Sequence, residues 1–205
     1  MTKRKVENKK NNGMLANIKD YNFKWVVNIT IITFILAVFM SFSSEALLRS
    51  ASIFIAFFIL IVIVFLGIVS DLIGIAVATA DEKPFHSMAS NKIGAAKFAI
   101  KLIKNAGPVS NFCNDVIGDI AGIISGAAGA IILVQVSNRY HGINTAAYSI
   151  TLSGIVAAIT VGGKALGKEI ALKKSKEIVF FVSKILLWLD VNLKINIMPE
   201  DMKKK

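Results

Sequence analysis

The chain has 205 residues, is 55% hydrophobic and carries a formal net charge of +11, an apolar share above the roughly 45–50% of ordinary soluble domains. A single cysteine, Cys113, leaves no internal disulfide, and the widely separated His86 and His141 give no zinc-ligand spacing. Without a Walker loop, a G-x-S-x-G elbow or an H-E-x-x-H pair, ordinary soluble enzyme chemistry has no support and the chain reads as a non-enzyme.

Residues 1–24 form a basic tail. The first apolar run, Trp25–Ser41, reads "WVVNITIITFILAVFMS". A helix rises about 1.5 Å per residue, so roughly 20 residues cross a hydrocarbon core. The long charged segment before this run, and the lack of an A-x-A site after it, favour an uncleaved anchor over a signal peptide. The second run extends from Ser52 to Ala80. It is longer than a crossing needs and must tilt, bend or project, with Gly67 and Gly74 flanking Asp71 as bend points.

Residues 86–106 follow as a juxtamembrane helix. In "SMASNKIGAAKFAIKLIKNAG", Ile93, Ala96, Ile100 and Ile103 recur at helical spacing, and Lys97, Lys101 and Lys104 make a basic face. Such a helix suits the headgroup layer. Gly107-Pro108 is expected to end it and Ser110 to cap the next span. His86 is expected at the solvated surface. The third span is Phe112–Val136 and the fourth Thr145–Gly163. Residues 164–205 hold a second amphipathic stretch, "KEIALKKSKEIVFFVSKILLWLD", and the basic end "PEDMKKK". Ile178–Leu189 is too short to cross, is interrupted by Ser183 and Lys184, and carries Trp188, a residue suited to an interface. A short soluble helical hairpin is the other reading of this stretch.

With the N-terminus placed inside, all of the 24 Lys and Arg except Arg49 and Arg139 fall on the inner side. This matches the positive-inside rule for an even number of spans with both termini cytoplasmic. The expected fold is therefore an all-α integral membrane protein of about four transmembrane helices plus amphipathic juxtamembrane helices. Its basic excess reads as topology and contact with anionic membrane lipid, not as nucleic-acid binding.

Polar residues interrupt the spans. Each helical residue turns about 100°, so Asn111, Gly118, Asp119, Gly122, Gly126 and Gly129 fall within about 60° of Asp115. Gly118, Gly122, Gly126 and Ala130 make small-xxx-small steps that let helices approach closely. Both carboxylates are thus expected to point into a helix interface, with Ile117, Ile120, Ile124 and Ile131 on the other side. Gly67, Asp71, Gly74 and Ala78 share a face of span two, with Ser70 beside it. Ala146, Ser149, Ser153, Ala157, Thr160 and Lys164 share one of span four. Intramembrane acids call for a partner. Two fit: a hard cation such as Mg²⁺ held by oxygens, or Lys164 or Lys168 in an ion pair. Cys113 reads as a small buried hydrophobe.

The stretch from Phe65 to Leu189 resembles the transmembrane domain of the CorB/CorC (CNNM-type) magnesium and cobalt transporters. "LGIVSDL" is similar to the kinked-helix motif F-F-S-G-S-E-x-x-L. "MASNKIGAAKFAIKLIKNAGPVSNFCNDVIGD" resembles the juxtamembrane helix followed by an Asn-bearing G-N-x-x-x-N helix. "GGKALGKEIALKKSKEIVFFVSKIL" resembles the G-E-x-x-P-K segment and its following helix. The resemblance implies a three-helix unit over residues 52–163, a juxtamembrane belt and a homodimer. It also implies a cation site to which Ser70, Asp71 and Asn114 correspond; Asp115, Asp119 and Ser125 join them as candidate metal ligands from the helical-face reading. Residues 25–41 are then an extra helix. The sequence departs from the pattern at Ile68 (serine in the motif), Lys164 (glutamate) and Gly167 (proline), and no CBS pair is expected.

Three functions follow as expectations. The first is binding and transport of a divalent cation, Mg²⁺ above all, across a bacterial plasma membrane. The alternative is a non-transporting scaffold or assembly protein in which Lys164 pairs with the intramembrane aspartates. A small holin-like pore is the third, disfavoured by chain length and the cytoplasmic belt.

Overall fold

In a computed structural model, residues 23–139 and 145–193 are described. The basic N-terminal segment before them, His141 and the terminal "PEDMKKK" lie outside that range. The elements are α1 (Phe23–Ser50), α2 (Ile53–Thr79), α3 (Lys83–Ser90), α4 (Gly94–Lys104), α5 (Ala106–Asn111), a π-helical segment (Phe112–Gly118), α6 (Asp119–Arg139), α7 (Thr145–Lys173) and α8 (Ser175–Leu193). The described residues contain no strand. Four stretches are long and apolar enough to cross a bilayer: Val26–Ser50, Ile53–Thr79, Ala106–Arg139 and Thr145–Lys173. That is the organisation of a multi-pass membrane protein, since a helix satisfies its own backbone in lipid.

The chain divides at Met40 into two compact units. In the first, Thr30 and Thr33 turn their hydroxyls back onto the Val26 and Ile29 carbonyls at 2.8 and 2.7 Å. Those hydroxyls are thereby satisfied within the helix.

The second unit is built around α2, which packs against α5, the π-helical segment, α6, α7 and α8. Its buried residues Ala56, Leu60, Val64, Gly67, Asp71 and Gly74 recur every three or four positions, so one stripe runs down the helix. Two apolar clusters share that stripe. Leu48, Ala56, Leu60, Val64, Ala128, Ile132 and Val136 form the first. Ala76, Val77, Phe85, Ala99, Leu102, Ala171 and Val179 form the second, where α3, α4 and α8 close over the end of α2. Between the two clusters α2 buries Ser70 and Asp71.

Several boundaries differ from the sequence expectation. The first span continues as helix to Ser50, and the fourth continues past Gly163 to Lys173. Gln135 Nε2 donates to the Leu48 carbonyl at 2.9 Å, which satisfies one of the acceptors a helix leaves open at its C-terminus. α2 runs unbroken through Gly67 and Gly74. The helix expected over 86–106 is two helices. Lys92 takes a left-handed φ of 60°, and the Ile93 N–H donates to Met88 and the Lys92 N–H to Ala89, the paired bonds of a helix-ending turn. Gly107 and Pro108 do not stop a helix; they lie in the first turn of α5, where the missing proline N–H has no intrahelical partner to lose. The following span thus starts at Ala106, and Ser110 sits inside it rather than capping it.

The small residues that set helix spacing are also not all those expected. A Cβ on Gly67 would stand 2.9 Å from the Ala121 Cβ, and one on Gly163 would collide with Ile68. Around Gly122 and Gly126 a Cβ would meet open space. Val116 of the π-helical segment and Ile120, Ile124, Ala128 and Ile132 of α6 turn inward, because larger side chains supply more van der Waals contact against α2 than glycines do.

These contacts predict that Gly67→Ala lowers the melting temperature of the detergent-purified protein. Overpacking of this kind costs about 1–3 kcal/mol. Gly126→Ala should leave the melting temperature unchanged or slightly raised, since alanine is the better helix former.

Candidate functional site

Three elements meet at the polar part of α2. Ser70, buried, donates its hydroxyl to the Cys113 carbonyl at 2.7 Å. That bond joins α2 to the π-helical segment, whose wider turns displace backbone carbonyls from the ordinary ladder. One turn further along α2, Gly74 leaves the space that the Asn114 side chain fills; a Cβ there would fall inside the amide. Asn114 Nδ2 donates to Ser110 Oγ at 3.3 Å. Its Oδ1 is buried without a hydrogen-bond partner.

Asp71 is 7% exposed, and its Oδ2 is likewise buried without a partner. Oδ1 looks across Gly118. A Cβ on that glycine would lie 3.9 Å from Asp71 Oδ1 and 3.5 Å from Lys164 Nζ. The carboxylate and the ammonium therefore approach one point from α2 and α7. They do not form an ion pair among those present in the described residues. Lys164 is half-buried, whereas Lys168 and Lys173 of the same helix are exposed.

The six candidate ligands separate. Ser70, Asp71 and Asn114 come together where α2 meets the π-helical segment. Asp115 and Asp119 are exposed, which corrects the expectation that they point into a helix interface. They do share a face with Gly122 and Gly126, but in the single chain that face is the open one; the Ile120–Ile124 side is buried instead. Among the described residues no three His, Cys, Asp or Glu side chains gather as a metal-binding group. Ser125 is 4% exposed, but its hydroxyl donates to the Gly122 carbonyl at 2.8 Å, and it stands about 10 Å along the helix from Gly118. It lines a separate groove of about 280 Å³ with Gly122, Gly126, Gly129, Ser153 and Thr160. Small residues of spans three and four thus border one open groove, which Asp71 and Lys164 do not line.

His86 is exposed and lies 2.8 Å from Glu82 Oε1. Cys113 is a free, half-buried thiol; the part of this residue that enters the polar layer is its carbonyl. Gln135 is not among the residues singled out from the sequence. Its signal is a glutamine within "IILVQVS", an amide that calls for partners in an apolar run; Nε2 finds acceptors, and the buried Oε1 has no hydrogen-bond partner among the described residues.

Among known proteins, no family model, no curated protein and no solved structure matches the chain.

The fit of Asn114 against Gly74 predicts strong coupling. Gly74→Ala should lower the melting temperature by displacing the Asn114 amide. Adding Asn114→Ala should restore most of the loss, a coupling of about 0.5–3 kcal/mol in a double-mutant cycle. Additive losses would show that the two residues do not share that space.

Proposed function

We propose that this chain binds a divalent cation in the polar layer of α2 and carries it across the membrane. Asp71 is the charged ligand, with Asn114 Oδ1 and Ser70 Oγ as neutral oxygens. The observation that carries the reading is the pair of buried oxygens without partners, Asp71 Oδ2 and Asn114 Oδ1, on adjoining helices. Leaving such groups bare is costly, and a hard cation is a partner that both oxygens accept. Mg²⁺ suits the set because it is commonly held through one or two carboxylates and keeps several waters. The same three residues correspond to the cation positions implied by the resemblance to the CorB/CorC transmembrane domains. Asp115, Asp119 and Ser125 are left out of the site.

In this reading the chain lies in a bacterial plasma membrane with both termini in the cytoplasm, as the charge distribution favours. The basic sides of α4 and α8 rest on anionic headgroups. A homodimer would cover the open Asp115–Gly126 face, where a carboxylate against lipid is unfavourable.

One observation favours the scaffold alternative: Lys164 Nζ and Asp71 Oδ1 lie over the same glycine. If the ammonium is the permanent partner of the acid, the helices are fastened and no ion enters.

Saturating Mg²⁺ should separate the two. Binding at about 100 times the dissociation constant stabilises by about 2.7 kcal/mol, a melting shift of about 5–10 °C at this size. The shift should vanish in Asp71→Asn. Should Mg²⁺ leave the wild type and Asp71→Asn alike, the cation reading fails and the scaffold stands.

A further inference from the structure

Lys164 is placed with little freedom at its base. It follows Gly163, where any Cβ would collide with Ile68 of α2, and precedes Gly167, whose Cβ position lies 3.6 Å from the Leu72 Cβ and 3.7 Å from Ile68 Cγ2. α7 therefore makes its close approach to α2 on both sides of Lys164. The one charged side chain of α2 is Asp71, one turn from Ile68 and adjacent to Leu72; the Cys113 carbonyl borders the same point over Gly118. Gly118 keeps the path open: its missing side chain leaves the volume that Nζ and Oδ1 both border.

The ends of this arrangement are not joined. Asp71 Oδ2 and Asn114 Oδ1 are unpartnered, and Lys164 stops short of the carboxylate. An ammonium is a compact charge with three donors on a flexible four-carbon stem. Rotation about that stem is enough to bring it onto Asp71 or to withdraw it, without moving a helix.

Resting on the cation-site reading above, we propose that Lys164 is a tethered competitor for that site. Its ammonium closes on Asp71 when no ion is bound, and an entering divalent cation must displace it. Charge balance requires this exclusion. One carboxylate neutralises one ammonium; a divalent ion added beside that ammonium would leave like charges facing each other where screening is weak. Lys164 thus sets the threshold concentration at which the site fills. It is a positioning and specificity residue, disfavouring ions that cannot repay its displacement.

The test is calorimetric titration of Mg²⁺ into the purified full chain in detergent, free of other divalent ions. Lys164→Gln should bind Mg²⁺ on the order of tenfold more tightly than the wild type. Lys164→Met should do the same, which guards against a fault peculiar to the glutamine variant. Lys164→Arg, which keeps the charge, should stay near the wild-type affinity. Asp71→Asn should abolish binding in every background. Binding by the Gln and Met variants but not by the wild type would overturn the competitor, because the native lysine would then be the permanent partner of Asp71 and the scaffold would stand. Wild-type binding that is unchanged or weakened by both neutral variants would overturn the competitor and leave the cation site standing. No binding by wild type, Gln or Met variant would overturn both, leaving Lys164 as a structural partner of Asp71.

Discussion

The arrangement depends on how closely the backbones of α2 and its neighbours approach. Side chains are missing at the contact points: Gly67 against Ala121, Gly74 against Asn114, and Gly163 against Ile68. In lipid there is little hydrophobic gain in bringing apolar helices together, so association relies on such close van der Waals fits. Two of these glycines, and Gly118 beside them, also have a chemical consequence. Gly74 draws the Asn114 amide into the interior, Gly163 carries Lys164 toward Asp71, and Gly118 leaves the opening between the two charges.

The polar layer lies between two apolar clusters, one around Leu60 and Ile132, the other around Val77 and Phe85. These exclude water from its two sides along α2, which raises the stakes of every unpaired atom within it. Ser70 is satisfied by the Cys113 carbonyl. Asp71 and Asn114 are not fully satisfied, and that asymmetry is where the functional reading begins. The π-helical segment is part of the same economy of space. Within it the Cys113 carbonyl accepts from Ser70, and Cys113 Cβ and the Asn114 amide both pack over Gly74.

Much of the architecture could be read from periodicity. The four apolar runs, the amphipathic stretches before Gly107 and after Lys174, and the shared face of Gly67, Asp71 and Gly74 all follow from residue spacing. The grouping of Asp115, Asp119, Gly122 and Gly126 on one face was legible too. Which face turns inward was not, because a helical wheel does not say whether glycines or isoleucines meet the neighbour. Here Ile120 and Ile124 fill the space against α2. Continuations were equally hidden: Glu45 lies beyond the first apolar run and Lys168 opens what reads as a separate amphipathic stretch, yet both continue the preceding span as helix. The left-handed Lys92 carries no glycine to announce it, and the π-helical segment has no signature in residue type. Lys164 was legible as a candidate partner, and the geometry over Gly118 brings it to Asp71 and leaves Lys168 exposed.

The central claim is that Asp71 and Lys164 act on each other inside the bundle. The most direct measurement is a double-mutant cycle of Asp71→Asn and Lys164→Gln on thermal stability, made without divalent cations. The account predicts that each single change destabilises and that the double variant loses clearly less than the sum, with a coupling of about 0.5–3 kcal/mol. Strict additivity would mean that the two charges do not sense each other, and it would contradict the account.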